Sequence, residues 1–385
     1  MAADPSAPYV YMVTTRYSGP GPLPCPNCDV PSIALKISSD GGATFGAVSF
    51  LPRDVLGWTA DPQIETDAAG NVYAVWIDSN FRDVFSKSTD HGQTWSDPVV
   101  ISAPGGWADH PWLGVSPSGQ HVYVGFNHAA SWVAQSHDGG ATWELAVQTS
   151  HANRYFYAGG TVVHDDGSVW ISQMSYPRDR YPEGPIQAVV TRSTDGGQTF
   201  RTATVDTVQQ QPDCALYSEG CHRDHYGGHA MIAGLANGDL VLVYDGAVVP
   251  EGAQYVFVSR SNDGGTTWSD PKRLSPGGRS EIAMEPAIVA TGPGDVRMWY
   301  MDDRYGVTNW NVWFRQSTNG GKTWSDDVRI SDAVSGAGYL HKMGFDADYG
   351  DYGDIAITNA GATFAIWGAG FSYNGPGGCW YNRTV

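Results

Sequence analysis

The chain has 385 residues, and its 40 Asp and Glu against 22 Lys and Arg give a formal net charge of −18. A surface that negative repels nucleic acid and anionic membranes, and no apolar run is long enough to span a bilayer, so both are excluded as partners. The 48 Gly and 23 Pro supply turns for many short strands, and the regular pattern predicts one repetitive domain over residues 1–385.

From the N-terminus, aromatic and β-branched runs come in pairs: YVYMVTT with SIALKIS, VYAVWID with VFSKS, VYVGFNH with WVAQS, VWISQMS with AVVTRS, LVLVYDG with YVFVSRS, VRMWYMD with NVWFRQS, and ATFAIWG with CWYNRTV. Turn residues bound each run, as they bound strands. Six pairs are preceded by a further run, DPQIETD, HPWLGVS, GTVVHDD, HAMIAGL, EPAIVAT or YGDIAIT; the first pair has none. With an outer strand after every pair but the last, the pattern predicts about 26 strands, enough for seven four-stranded blades of which two are thin.

One motif, Ser-x-Asp-x-Gly-x-Thr-(Trp/Phe), follows six of the pairs, starting at Ser38, Ser88, Ser136, Ser193, Ser261 and Ser317. The intervals of 48 to 68 residues suit a propeller blade with variable loops. A short carboxylate that bonds backbone N–H groups, beside glycines free to take positive φ, makes a tight hairpin. These aspartates are therefore read as structural.

The repeats resemble the Asp-boxes, or BNR repeats, of the sialidase superfamily of β-propellers, over about residues 9 to 384. The resemblance implies an all-β propeller; seven blades are expected, with the sialidase number of six as the alternative. That superfamily holds sialidases, other glycosidases, polysaccharide lyases, lectins and sorting receptors, so fold alone does not fix function.

The opening Met-Ala-Ala-Asp-Pro reads as a mature secreted start with an added initiator Met, and five cysteines fit export. Cys214 and Cys221 flank one loop, and Cys379 is placed to bridge Cys25 or Cys28 across the ring closure. The Cys25-Pro-Asn-Cys28 spacing lacks the context of a redox or zinc site. An extracellular monomer acting on an oligo- or polysaccharide is the expectation. No cofactor is required; the hard oxygen ligands of Asp346, Asp348, Asp351 and Asp354 would suit Ca²⁺, although they match no EF-hand spacing. Asn382-Arg383-Thr384 is a glycosylation sequon.

If the hairpins mark one face, the links into each inner strand lie on the other, where loops on a rigid scaffold carry chemistry. Those links hold Trp107, Asp109 and His110; Arg154 and Tyr157; Arg223, His225, Tyr226 and His229; then Glu285 and Tyr352. Asp61 and Asp109, before Pro and His-Pro, also suit turn caps, and the histidines also suit bonds across blades.

Two chemistries follow. Paired carboxylates, with Asp61, Asp109 and Glu285 as the candidates, would hydrolyse a glycosidic bond in an acidic or plant-type glycan. In the sialidase resemblance, Asp29 corresponds to the general acid/base, Glu285 partners the nucleophile Tyr352, and Arg304 binds substrate, while the family's Phe/Tyr-Arg-Ile-Pro motif is missing. Alternatively His110, His229, Tyr157 or Tyr226 would supply base and acid for β-elimination from a uronate, with Arg154 or Arg223 neutralising its carboxylate. The non-enzyme reading is a lectin. Trp107 is a candidate sugar contact in any of the three.

Overall fold

Seven antiparallel sheets, one per predicted strand pair, form the blades of an all-β propeller. The computed structural model describes residues 1–16, 32–53, 57–102, 106–150, 153–179, 183–211, 228–277, 282–305, 309–331, 337–338, 352–369 and 378–384. The innermost strands of blades 1 to 7 are Ala2–Ala3, Thr59–Thr66, Asp109–Val115, Arg154–Val163, Ala230–Gly234, Ala283–Thr291 and Asp354–Ile357. Blade 1 thus has the inner strand that its sequence was not expected to supply. Two residues are too short to show a pattern, yet Ala2 and Ala3 pair with Tyr11 and Val10. Among the described residues blade 7 has three strands, as anticipated.

The second strand of each blade carries the apolar load because neighbouring blades cover both of its faces. Val72–Asp78 is buried along its whole length. Between blades 1 and 2, Tyr11 and Leu35 pack with Ile64, Val72 and Trp76; between blades 6 and 7, Trp299 and Met301 pack with Ile355 and Trp367.

The six motif copies form the expected hairpins. In the second, Asp90 accepts the Thr94 N–H at 2.8 Å and the Thr94 hydroxyl at 2.6 Å, while the Ser88 hydroxyl donates to it at 2.8 Å. These bonds hold the Asp90 carboxyl down at about 2. The sixth copy has Asn319 instead, which accepts the Thr323 N–H at 2.9 Å and donates to its hydroxyl at 2.8 Å.

Hairpins and inner-strand turns share one face, since the Gly139 N–H donates to the Gln120 carbonyl at 2.9 Å and the Ala68 N–H to the Pro117 carbonyl at 2.8 Å. The inner strands therefore start on the opposite face. The ring closes without a shared strand: Val10, Met12, Ala356, Phe364 and Ile366 pack across the seam, and Phe45 meets Phe364 at 5.7 Å.

Candidate active site

Three inner strands begin with the same local device. Asp61, His110 and Glu285 each precede a proline, and each has a left-handed backbone, with φ of 54°, 54° and 51°. A residue before proline is normally pushed to extended geometry, and a non-glycine at positive φ costs about 1–3 kcal/mol. In each case the pairing register slips there: between Ala60 and Gln63, between Met284 and Ala287, and between Gly125 and Asn127 opposite His110. A bulge re-aims a side chain. All three side chains line one cavity.

That cavity, about 240 Å³, also takes Asp109 and Trp112 from blade 3, Tyr157 and Tyr176 from blade 4, His229 from blade 5, and Tyr352 just before blade 7. Blades 4 and 5 approach closely beneath it. A Cβ on Gly159 would lie 2.0 Å from the Ala230 carbonyl oxygen, and one on Gly228, at φ +86°, would lie 1.5 Å from the Tyr176 hydroxyl. The wall is aromatic: His110 stacks on Tyr352 at 4.6 Å and meets Tyr157 edge-on at 5.3 Å, and Trp112 stacks on Tyr352 at 5.9 Å. Glu285 is only 3% exposed.

Behind His229 stands a residue that the sequence reading passed over. Asp245, fully buried on the second strand of blade 5, accepts the His229 Nδ1–H at 3.0 Å. It also accepts the backbone N–H groups of Gly228 at 2.5 Å, His229 at 3.0 Å and Glu285 at 2.9 Å. One carboxylate thus fixes the starts of two neighbouring inner strands. With a carboxylate at Nδ1, the neutral ring carries its proton there and Nε2 is the proton acceptor. The signal in the sequence was an acid inside the apolar run LVLVYDG, where a charge needs partners.

Seven predicted residues therefore converge: Asp61, Asp109, His110, Tyr157, His229, Glu285 and Tyr352. Arg223, His225 and Tyr226 lie outside the described residues, as do Asp29, Asp346, Asp348, Asp351 and four of the cysteines; of Cys379 only the backbone is described. Asp354 accepts from the Met1 ammonium at 2.7 Å.

Two candidate arginines are engaged elsewhere. Arg304 lies outside the cavity lining: its guanidinium bonds Asp302 at 2.7 Å and Asp327 at 2.9 Å and lies 3.6 Å over the Trp313 ring. A guanidinium committed to two carboxylates serves as a structural tie. Arg154 likewise donates to the Ser175 hydroxyl at 2.6 Å and the Ser175 carbonyl at 2.7 Å, outside the lining. Trp107, two residues before Asp109, lies outside the lining and is 62% exposed. In blade 2 Asp83 is fully buried, and neither carboxyl oxygen has a hydrogen-bond partner among the described residues. Burial, then the Asp109 and Asp78 carboxylates, push its carboxyl well above the usual range.

No protein-family model matches the sequence, and a search of curated proteins finds no match. Solved structures do resemble the chain. It superposes on the Hadza microbial sialidase Hz136 with a TM-score of 0.53 at 13% identity, covering 92% of this chain and 73% of that one. The intramolecular trans-sialidase from Ruminococcus gnavus gives 0.52 at 12%, covering 85% and 94%. An ulvan lyase of polysaccharide lyase family PL25 gives 0.51 at 11%, covering 91% and 86%.

Proposed function

The fold being that of sialidase-like propellers, we propose that this protein is a secreted carbohydrate-active enzyme that hydrolyses glycosidic bonds of a neutral, plant-type glycan at the central cavity. Glu285 comes from blade 6 and Asp61 and Asp109 from blades 2 and 3, which stand across the ring. Carboxyl groups on opposite sides of a sugar suit hydrolysis: one protonates the leaving oxygen, and the other activates water or attacks the anomeric carbon. The Tyr352, His110 and Trp112 rings offer flat apolar faces to the sugar, and the carboxylates accept its hydroxyls.

The observation that carries this reading is the strained X-Pro start, which recurs on three strands and delivers each side chain to one cavity. Strain held at several converging positions is a mark of function. The test is a panel of neutral and uronate-containing polysaccharides and sialosides, reading reducing ends and ultraviolet absorbance together. New reducing ends without absorbance, reduced about 10²- to 10⁴-fold in Glu285→Gln, support hydrolysis.

One observation favours a second reading. An Nε2 acceptor on His229, oriented by Asp245, suits abstraction of a proton from a uronate. Reducing ends accompanied by absorbance establish that elimination instead. Binding without any reaction establishes a lectin.

A further inference from the structure

Beside the cavity, the rings of Trp58, Phe81 and Trp107 form a continuous row, Trp58 to Phe81 at 5.1 Å and Phe81 to Trp107 at 4.5 Å. We infer that this row is a separate sugar-stacking subsite, which holds a neutral pyranose of the same glycan chain one or more units away from the bond cleaved in the cavity. The inference rests on the carbohydrate reading and adds that the substrate is an extended chain.

The first argument is repetition. Gly57-Trp58 and Gly106-Trp107 each stand three residues ahead of the strained residue before proline, Asp61 in one case and His110 in the other. Each glycine is docked the same way: a Cβ on Gly57 would lie 2.1 Å from the Ser79 hydroxyl, and one on Gly106 would lie 1.5 Å from the His128 ring. The same unit, built twice, sets a tryptophan at a fixed distance along the chain from a cavity residue.

The second argument is that the display is rigid. The Trp107 carbonyl accepts from His128 Nδ1–H at 3.1 Å, and the next residue, Ala108, donates its N–H to the Phe81 carbonyl at 2.9 Å. Phe81 itself holds a φ of 54°, which a bulky residue adopts only under constraint. The Asp78 carboxylate fastens its loop by accepting the Asn80 and Arg82 N–H groups at 2.9 and 3.0 Å. Backbone so firmly anchored beneath a ring that stays 62% exposed is a preorganised contact surface.

The occupant follows from continuity with the cavity. Trp107 is two residues from Asp109 and Trp58 three from Asp61, both of them in the cavity lining. A ligand that bridges flat apolar rings and a carboxylate-lined pocket needs an apolar face and hydroxyl edges, and no negative charge. A neutral sugar chain has all three.

The test uses the full-length chain and neutral oligosaccharide probes: cellohexaose, mannohexaose and xylohexaose with their disaccharides, followed by tryptophan fluorescence and calorimetry. Glu285→Gln protein serves as the host, so that binding is read without turnover. At least one hexasaccharide is expected to bind, and Trp107→Ala and Phe81→Ala are each expected to weaken it about tenfold. Disaccharide affinity is expected to stay unchanged. If the wild type turns over nothing but this pattern appears, the hydrolase reading fails and the subsite stands. Equal loss for short and long probes, no loss, or no binding by any hexasaccharide overturns the subsite. So does a wild-type dimer that Trp107→Ala dissociates, because the rings would then be covered by a second copy.

Discussion

Asp245 and His229 are bound twice over, backbone N–H to Oδ1 and ring Nδ1–H to Oδ2, both at 3.0 Å. Asp245→Asn keeps an acceptor for the Gly228 and His229 N–H groups but sets an amide against the Glu285 N–H and against the ring, which drives the proton to Nε2. The expected result is a ¹⁵N spectrum in which the His229 proton moves between nitrogens, with turnover lowered about 10²-fold if His229 acts on the substrate. A fall in melting temperature with an unchanged pH–rate profile would assign Asp245 to strand anchoring alone.

The left-handed backbone at Asp61 separates the needs of the site from those of the fold. Asp61→Gly and Asp61→Ala remove the same carboxylate, but only glycine takes a φ of 54° without strain. The glycine variant is expected to be the more stable by about 1 kcal/mol in urea unfolding, with both variants losing activity.

Asp83 gives the stability a pH dependence. Its carboxyl is raised by burial and neighbouring carboxylates, so above about pH 4 the unfolded chain releases a proton that the folded one keeps. The sign is therefore a loss of stability as pH rises from about 4 toward the raised value, at no more than about 1.4 kcal/mol per pH unit. Asp83→Asn is expected to flatten that slope, and to gain most over the wild type at neutral pH. Denaturant midpoints of both proteins from pH 4 to 8 would check it.

Arg304 provides the control. Its side chain is 17% exposed between Asp302 and Asp327, and removal strips the buried Asp302 carboxylate of its ion pair while Asp327 keeps Arg315. Arg304→Met is expected to cost about 3–5 kcal/mol of stability while activity per folded molecule is unchanged. A selective rise in KM, with stability intact, would return it to a substrate-binding role.

The hairpins were legible because Ser, Asp, Gly and Thr each carry one bond or one dihedral of a local turn, as Asp90 shows with Ser88 and Thr94. The cavity residues were legible from their place at strand starts, although nothing in the sequence announced the left-handed backbone of Asp61, His110 and Glu285. That conformation comes from the bulges, which depend on pairing with a second strand. The matching position of Arg304 says nothing of Asp327, 23 residues away, which holds it. Asp245 escaped notice because its partners come from the starts of two different blades.

The seam between blades 1 and 7 has a consequence of its own. Each of the other blade interfaces is crossed by the polypeptide, whereas here the described contacts are packed side chains such as Phe45 and Phe364 and the ion pair of the Met1 ammonium with Asp354. Parting them breaks no strand ladder, so this joint sets how the wheel comes apart. Glu285 on blade 6 and Asp61 on blade 2 sit on either side of it. The spacing of the proposed carboxylate pair is thus tied to an apolar clasp around Phe364, where a single substitution would be felt at the hub.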